Sequence, residues 1–324
     1  MTRNPLTLRA ALSPKRLLPR AARNADNSKR RLPFGVSALG VLLCFHGTVL
    51  GQVVFSANLS GNWDLFLASE DSSLTKQLTQ TPGDEVSPAI SPGADRVAYA
   101  TSDGGLWTIN LATQKAAKIG LPPGRYAHPT WLPDGSGIVF TSYVVHPPDE
   151  DSDLDVYIFK EGKKKPFLKQ TGPQDYPAIS PDGNKIAYMC AFSTLIPGME
   201  GIINQQIWVA DLHDGKAAPL FLGPAKDRYP AWSPDGKRLA FSSDRNGRPD
   251  IWITDLKGLD TVQLTQDPAS ATSPAWSPDG KEIVYVSTAS GRSELMIVNV
   301  ETHATRKISP FGSRPVEVRD PTWR

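Results

Sequence analysis

Cysteine is scarce in this chain of 324 residues, which contains only Cys44 and Cys190. Two cysteines can supply neither a disulfide framework nor a cysteine-rich zinc site. Histidine is scarce as well, with 5 in the whole chain. From residue 52 onward the histidines are His128, His146, His213 and His303. A multi-histidine metal centre is therefore not expected, and we expect no cofactor.

Positive charge is confined to the start of the chain. Residues 1–31 hold nine Lys or Arg against Asp26 as the single acid, residues 32–51 carry no charge, and residues 52–324 hold 26 basic and 32 acidic side chains. Nucleic-acid binding needs a basic face on the folded part of a protein. We therefore expect no nucleic-acid partner.

The first 51 residues have the pattern of an export signal. A basic segment precedes the uncharged, mostly apolar residues 32–50, and Val49-Leu50-Gly51 offers a cleavage point before Gln52. The alternative is an uncleaved membrane anchor, because residues 32–50 are about long enough to cross a bilayer. Either way the sequence predicts a periplasmic or secreted bacterial protein, which contacts the membrane only through this segment if it is uncleaved.

The remainder of the chain is a repeat. One phrase, consisting of any residue, then proline, a small residue and a hydrophobic residue, occurs six times. Its prolines are Pro88, Pro129, Pro177, Pro230, Pro274 and Pro321. A period of about 40–50 residues in a strand-rich chain is typical of β-propellers.

Each repeat contains the signals of a four-stranded sheet. The phrase leads into a turn that is intact in Ser180-Pro181-Asp182-Gly183, in which proline and glycine supply the required backbone angles. A short apolar strand such as Leu239-Ala240-Phe241 follows, and then third and fourth strands such as Asp250–Ile253 and Thr261–Thr265. Each repeat is therefore predicted to form one antiparallel blade.

The two ends of the repeat region complement each other. Residues 53–79 supply strands two, three and four of a blade that has no first strand, and Arg319–Arg324 supply a first strand alone. Joining them closes the ring and removes its open edges. The sequence thus predicts an all-β fold, a six-bladed β-propeller over residues 52–324 that is closed by a composite blade from both termini.

The residue pattern of the repeat is similar to that of a known family. Residues 229–253 carry x-Pro-Ala-Trp-Ser-Pro-Asp-Gly-Lys, an apolar strand that ends in Phe-Ser-Ser-Asp-Arg-Asn-Gly, and then Asp-Ile-Trp. This resembles the TolB-type, WD-repeat-like β-propeller repeat, and some form of it covers residues 52–324. The resemblance implies the propeller fold strongly and the function only weakly.

Candidate binding residues gather at one face of the predicted ring. The long insertions Ser142–Leu154 and Ala191–Gln205 lie on the face opposite the Pro-Asp-Gly turns. We expect the residue before each repeat proline at the rim of the central channel on that face. Aromatic residues and arginines often anchor interfaces. The predicted partner-binding residues are Arg125, His128, Asp175, Tyr176, Asp227, Arg228, Tyr229, Arg319 and Asp320, with Ser87 and Ser273 completing the ring.

Two other acidic features have competing interpretations. The loop of residues 147–155, with five carboxylates, is either a cation site or a solvated acidic loop, and it lacks the spacing of an EF-hand. The acidic or amide residue before strand three recurs as Asp64, Asp155, Gln206, Asp250 and Glu294. This recurrence favours a structural hydrogen bond.

Two classes of function remain open. The favoured one is a non-catalytic cell-envelope propeller that recognises a protein or peptide segment at the channel mouth. The alternative is a propeller-type hydrolase or lyase that acts on peptide or oligosaccharide. We find no Gly-x-Ser-x-Gly motif in the sequence, and for that reason a binding protein is favoured over an enzyme.

Overall fold

The computed structural model describes residues 51–144, 153–168, 172–193 and 203–324. The predicted export signal and most of the acidic loop lie outside these ranges, as does the middle of the second insertion. Within them, no helix is long and apolar enough to cross a membrane.

The described residues form twenty-four strands, numbered here in chain order. The inner strands are β4 (Glu85–Ile90), β8 (Arg125–Trp131), β12 (Gln174–Ile179), β16 (Asp227–Trp232), β20 (Ala271–Trp276) and β24 (Glu317–Trp323). The second strands are β5 (Arg96–Thr101), β9 (Gly137–Val144), β13 (Lys185–Ser193), β17 (Arg238–Ser243), β21 (Glu282–Ser287) and β1 (Gln52–Asn58). The third strands are β6 (Leu106–Asn110), β10 (Asp153–Lys160), β14 (Ile203–Asp211), β18 (Asp250–Asp255), β22 (Glu294–Asn299) and β2 (Trp63–Ser69). The outer strands are β7 (Ala116–Lys118), β11 (Lys163–Pro166), β15 (Ala217–Pro219), β19 (Thr261–Gln263), β23 (Thr305–Ile308) and β3 (Thr75–Gln77).

These strands make six antiparallel sheets of four strands, so the predicted six-bladed propeller is confirmed. We number the blades 1 to 5 from β4–β7 to β20–β23. Blade 6 is the composite, with the strand order β24-β1-β2-β3. Val53 pairs with Trp323, and Gln52 and Arg324 exchange backbone hydrogen bonds of 2.6 and 3.0 Å. The two ends of the propeller are therefore held in one sheet.

Both insertions begin as extensions of a hairpin. Strands β9 and β10 stay paired out to Val144 and Asp153, and β13 and β14 stay paired out to Ser193 and Ile203. The sequence predicts these residues as loop. The second and third strands of blades 2 and 3 are therefore longer than predicted, and they project on the face opposite the Pro-Asp-Gly turns.

The core lies between neighbouring blades. An aromatic residue of the second strand is buried in every blade, as in Tyr188 and Phe241, which are fully inaccessible to solvent. Between blades 4 and 5, Ile251 of β18 packs in one cluster with Ile283 and Tyr285 of β21. These strands are buried along almost their whole length, because both faces of a blade pack against neighbouring blades, and this explains their short apolar runs in the sequence.

The turns between first and second strands form as the sequence predicts. In blade 3, Ser180 Oγ donates to Asp182 at 2.5 Å and accepts from the Lys185 amide at 2.9 Å. Gly183 adopts a φ of 75°, and a side chain at this position would contact Pro133 of the preceding blade at 3.7 Å. The same glycine-to-proline contact recurs for Gly236 and Gly280. The turns therefore pack against one another around the ring.

Tryptophans at the ends of inner strands link adjacent blades. The indole Nε1 of Trp131, Trp232 and Trp276 donates to a carbonyl of the preceding inner strand, at 3.0, 2.9 and 3.1 Å. Trp323 of blade 6 is equally buried, but its Nε1 has no hydrogen-bond partner among the described residues. Ile90 occupies the equivalent position in blade 1.

The recurring acid before strand three is structural. Asp250 is 1% exposed. Its carboxylate accepts hydrogen bonds from the side chains of Gln263 and Thr265 and from the Asp267 amide, at 2.8–3.0 Å. Asp64 makes the corresponding contacts with Gln77 and Thr79 in blade 6. These bonds tie the third strand to the loop that leads into the next blade, which confirms the structural interpretation of this position.

Candidate functional site

Every inner strand is interrupted by a β-bulge at the residue before its repeat proline. In blade 3, for example, Asp175 and Ala178 keep their ladder partners while Tyr176 and Pro177 have none. All six pre-proline residues have a positive φ, between 46° and 56°. They are Ser87, His128, Tyr176, Tyr229, Ser273 and Asp320. The bulges place these residues along the central axis of the ring, in the body of the inner strands rather than in the loops before them.

A central cavity of about 630 Å³ begins at these six residues. In blades 1 to 5 its lining runs from the pre-proline residue to the turn proline, which is Pro92, Pro133, Pro181, Pro234 or Pro278, and in blade 6 it runs from Asp320 to Arg324. The cavity therefore extends toward the face of the turns. We call the six pre-proline residues the cavity floor and the following strand residues its wall.

Three aromatic rings of the floor contact one another. The His128 ring stacks on Tyr176 with centroids 3.8 Å apart and an interplanar angle of 30°. Tyr176 meets Tyr229 edge to face, with centroids 4.6 Å apart. The aromatic half of the floor thus spans blades 2, 3 and 4 without a break.

Asp175 fixes the position of the histidine. Its Oδ1 lies 2.6 Å from His128 Nδ1 and accepts from Thr141 Oγ1 and from the Tyr176 amide, both at 2.8 Å. Burial alone would raise the pKa of Asp175, but hydrogen bonds and the His128 charge outweigh it, and the pKa is lowered. The carboxylate therefore holds His128 and stays outside the cavity lining.

The Tyr176 phenol is held in its neutral form. Burial raises the pKa of this phenol strongly, and Tyr229, Asp175 and Asp320 raise it further. Asp320 belongs to blade 6, which stands opposite blade 3 in a ring of six. Tyr176 therefore stays neutral at physiological pH.

Asp320 is the carboxylate of the floor. Its Oδ2 accepts from the Ser87 amide at 3.2 Å and from Ser87 Oγ at 3.5 Å, and it lies 3.8 Å from Arg319 Nε. The guanidinium of Arg319 is held 4.0 Å above the ring of Trp63. Arg319 therefore flanks the floor and is not part of the cavity lining.

The other predicted site residues lie away from the cavity. Asp227 is 2% exposed and accepts from Arg245 at 3.0 Å; burial raises its pKa, although Ser243 and Arg245 favour the charged form. Arg228 is half-buried, with an Nε that has no described partner. Arg125 is exposed at the start of β8. Of the predicted residues, the structure brings together His128, Tyr176, Tyr229 and Asp320 in the cavity lining.

Sequence reasoning missed the wall of the cavity. The wall combines the repeat prolines and the turn prolines with Trp131, Trp232, Trp276 and Trp323. These residues were interpreted as turn and strand signals only. These residues recur at the same positions of the repeat. This recurrence could have indicated a shared apolar lining, because equivalent positions of the six blades face the same axis.

The two floor tyrosines occupy a backbone conformation that tyrosine does not favour. Positive φ is uncommon outside glycine, and Asn, Asp and His are the residues most often found there. Such positions cost of the order of 1–3 kcal/mol and cluster at functional sites. Since serine and aspartate accept the same bulge in blades 1 and 6, the fold itself does not require tyrosine at residues 176 and 229.

The described residues contain no group of three or more His, Cys, Asp or Glu side chains that could hold a metal ion. The candidate acidic loop of residues 147–155 falls largely outside the described residues. Its last member, Asp155, lies in β10 opposite Ser142.

The pattern of the propeller repeat matches a known family model. The model described as the TolB beta propeller domain matches residues 143–320, which is more than half of the chain. The chain belongs to the TolB β-propeller domain family. The resemblance stated from residues 229–253 is thereby confirmed.

Individual relatives agree with this assignment. The protein TolB homolog of Chlorobium luteolum is 26% identical over 181 residues, which cover 54% of this chain and 38% of that protein. The match thus spans well under half of the relative's length. A crystal structure of TolB from Acinetobacter baumannii has a TM-score of 0.69 and 22% identity, covering 84% of this chain and 66% of that one.

A propeller enzyme has the same fold. An oligogalacturonate lyase in complex with manganese has a TM-score of 0.56 and 18% identity, and it covers 80% of this chain and 73% of its own. At this level of identity, the likeness shows a shared fold and nothing of the chemistry.

Proposed function

We propose that this TolB-family propeller is a non-catalytic binding protein of the bacterial cell envelope, and that its central cavity recognises a protein or peptide segment. The observation that carries the proposal is the cavity floor. Three contacting aromatic rings and one carboxylate face a volume of about 630 Å³, within the range of about 300–1,000 Å³ that is common for ligand pockets.

The choice of residues supports binding more than scaffold stability. Tyr176 and Tyr229 are held at positive φ and belong to none of the clusters that pack the blades together. Their rings therefore contribute little to the core and are available as contact surface. Aromatic side chains of this kind dominate the binding energy of many interfaces.

The location in the envelope is part of the proposal. It rests on the basic segment and the apolar residues 32–50, which predict export to the periplasm or secretion, and on the family of the propeller. The partner is a protein or peptide of the same compartment.

Variants of the cavity floor, compared with variants of the turns, test the proposal. A partner is first isolated from an envelope extract with the full chain, and its affinity is then measured by titration calorimetry. Tyr176→Ala or Tyr229→Ala is expected to weaken binding by about 2 kcal/mol, about thirtyfold.

The control variants are Asp182→Ala and Asp279→Ala, whose carboxylates accept the hydrogen bonds that shape the turns and do not line the cavity. These variants are expected to lower stability and to leave affinity nearly unchanged. Equal losses of affinity in folded variants of both kinds would contradict the proposal.

A further inference from the structure

The cavity has two zones of different polarity. The floor holds hydroxyl, imidazole and phenol groups and the Asp320 carboxylate, whereas the wall consists largely of proline, alanine, isoleucine and tryptophan. A ligand that fills both zones needs a polar or charged end and an apolar body. The charge expected at the polar end of the ligand follows from the floor atoms that have no hydrogen-bond partner.

Asp320 has acceptor capacity to spare. The contacts of its carboxylate, with Ser87 and with Arg319, all involve Oδ2. Oδ1 has no hydrogen-bond partner among the described residues, and the side chain is 27% exposed in the cavity. A carboxylate oxygen with a free lone pair pairs best with a charged donor.

The rest of the floor also suits a cation. The rings of Tyr176 and Tyr229 contact each other and line the same cavity as Asp320, and aromatic faces attract ammonium groups. Of the two neighbouring arginines, Arg319 is held over Trp63, whereas Arg324 is exposed and lines the cavity four residues after Asp320. His128 directs Nδ1 to Asp175.

The depth of the cavity limits how a cation can reach the floor. In five blades the lining runs from the pre-proline residue to the turn proline five residues later. At a strand rise of about 3.3 Å per residue this is about 16 Å. The four-carbon stem of a lysine at the mouth is far shorter. An extended chain end of about four residues spans the distance.

We infer that the cavity takes the free amino terminus of a peptide, with its ammonium group at Asp320 Oδ1 and about four residues along the apolar wall. The inference rests on the proposed function and names the chemistry of the segment. A chain end enters a cavity of this depth without the turn that an internal segment would need.

The probe is a mixed library of tetrapeptide amides with free amino termini, compared with the same library after N-acetylation. Both are equilibrated with the purified full chain by dialysis, and the bound peptides are quantified by mass spectrometry. We expect the free-amine library to bind at least tenfold more tightly than the acetylated one, because acetylation removes the charge and two donors.

Asp320→Asn tests the same contact from the protein. Asparagine tolerates positive φ and can still accept from the Ser87 amide, so the bulge should persist. We expect this variant to reduce the preference for the free amine to less than twofold. The control Glu301→Gln removes a carboxylate from the exposed turn between β22 and β23 and should preserve the preference.

The outcomes separate the two proposals. Equal binding of free and acetylated peptides by the parent protein would overturn the inference and leave the cavity as a peptide site. A preference for the free amine that survives Asp320→Asn would also overturn it. Failure of the parent to bind either library, together with binding of neutral oligosaccharides in the same assay, would contradict the proposed function itself. Should Asp320→Asn fail to fold, the acetylation contrast decides alone.

Discussion

The same substitution at two tryptophans should have different costs, because only one of them donates a hydrogen bond. Trp276 and Trp323 are each 5% exposed and end inner strands of adjacent blades. Trp276 Nε1 donates to the Ala231 carbonyl at 3.1 Å, and the Arg238 guanidinium lies 4.9 Å from its ring. Trp323 Nε1 has no described hydrogen-bond partner. Replacing each by phenylalanine removes a similar volume, so the difference isolates the polar contacts.

The expected difference follows from two contributions. A hydrogen bond of this kind contributes a net stabilisation of about 0.5–1.5 kcal/mol, and a cation over an indole face contributes about 0.5–1 kcal/mol at an exposed site. Phenylalanine keeps part of the second. We therefore expect Trp276→Phe to lower the free energy of unfolding by about 1–2 kcal/mol more than Trp323→Phe does.

Guanidinium unfolding followed by circular dichroism measures this difference. With equal slopes, the shift in midpoint reports the change in stability directly. Trp232→Phe tests the hydrogen bond without the cation, since Trp232 Nε1 donates to Ala178 at 2.9 Å, and it should cost about 0.5–1.5 kcal/mol more than Trp323→Phe. Equal losses for Trp276→Phe and Trp323→Phe would refute the view that these tryptophans stabilise the ring through their indole nitrogens.

Three further predictions concern the ring and its termini. Deleting Arg319–Arg324 should cause aggregation or a large fall in melting temperature, because it removes buried Trp323 and exposes β1 as an edge; a truncation that melts like the parent would contradict closure by β24. Since the pKa of Asp175 is lowered in the folded state, its ionised form stabilises the fold above the unfolded value of about 3.8, and this stabilisation is lost as pH falls through the folded pKa. The stability advantage of the parent over Asp175→Asn, measured by unfolding at pH 2–6, should therefore shrink toward acid pH, and a constant advantage would contradict it. Mass spectrometry of the exported protein should find a chain that begins near Gln52, and retention of residues 1–51 would show that the signal is not cleaved.

Much of the fold can be predicted from the sequence, because the repeat contains residues with strong backbone preferences. Where a Pro-Asp-Gly turn is present, it predicts the start of the second strand. The repeat proline and its neighbours, which precede the turn, predict the inner strand. The composite blade can be predicted because the first repeat has no first strand and the last residues supply a first strand alone. The extended hairpins of blades 2 and 3 were not predicted. Their extra strand residues lie in the insertions, which have no counterpart in the other repeats and so fall outside the repeat pattern.

The cavity was predictable only in part. The sequence analysis selected His128, Tyr176, Tyr229 and Asp320 by their position before a repeat proline, and the bulge brings them together. It placed them at a rim, because nothing in the residue types before a proline reports a positive φ within a strand. Asp227 was selected for its charge, whereas its burial beside Arg245 depends on long-range contacts.

The bulges also separate the residues that face the cavity from the strand pairings that hold the ring together. The six floor residues lie at intervals of 41–53 residues, and Tyr176 and Tyr229 take no ladder partner and join no packing cluster. One position per blade therefore sets the chemistry of the floor. Substitution at these positions leaves the strand pairings intact, although it alters the contacts that floor residues make between blades, such as those of Asp320 with Ser87 and of His128 with Asp175. On the proposed function, one scaffold can therefore diversify its specificity through single-residue substitutions at six positions.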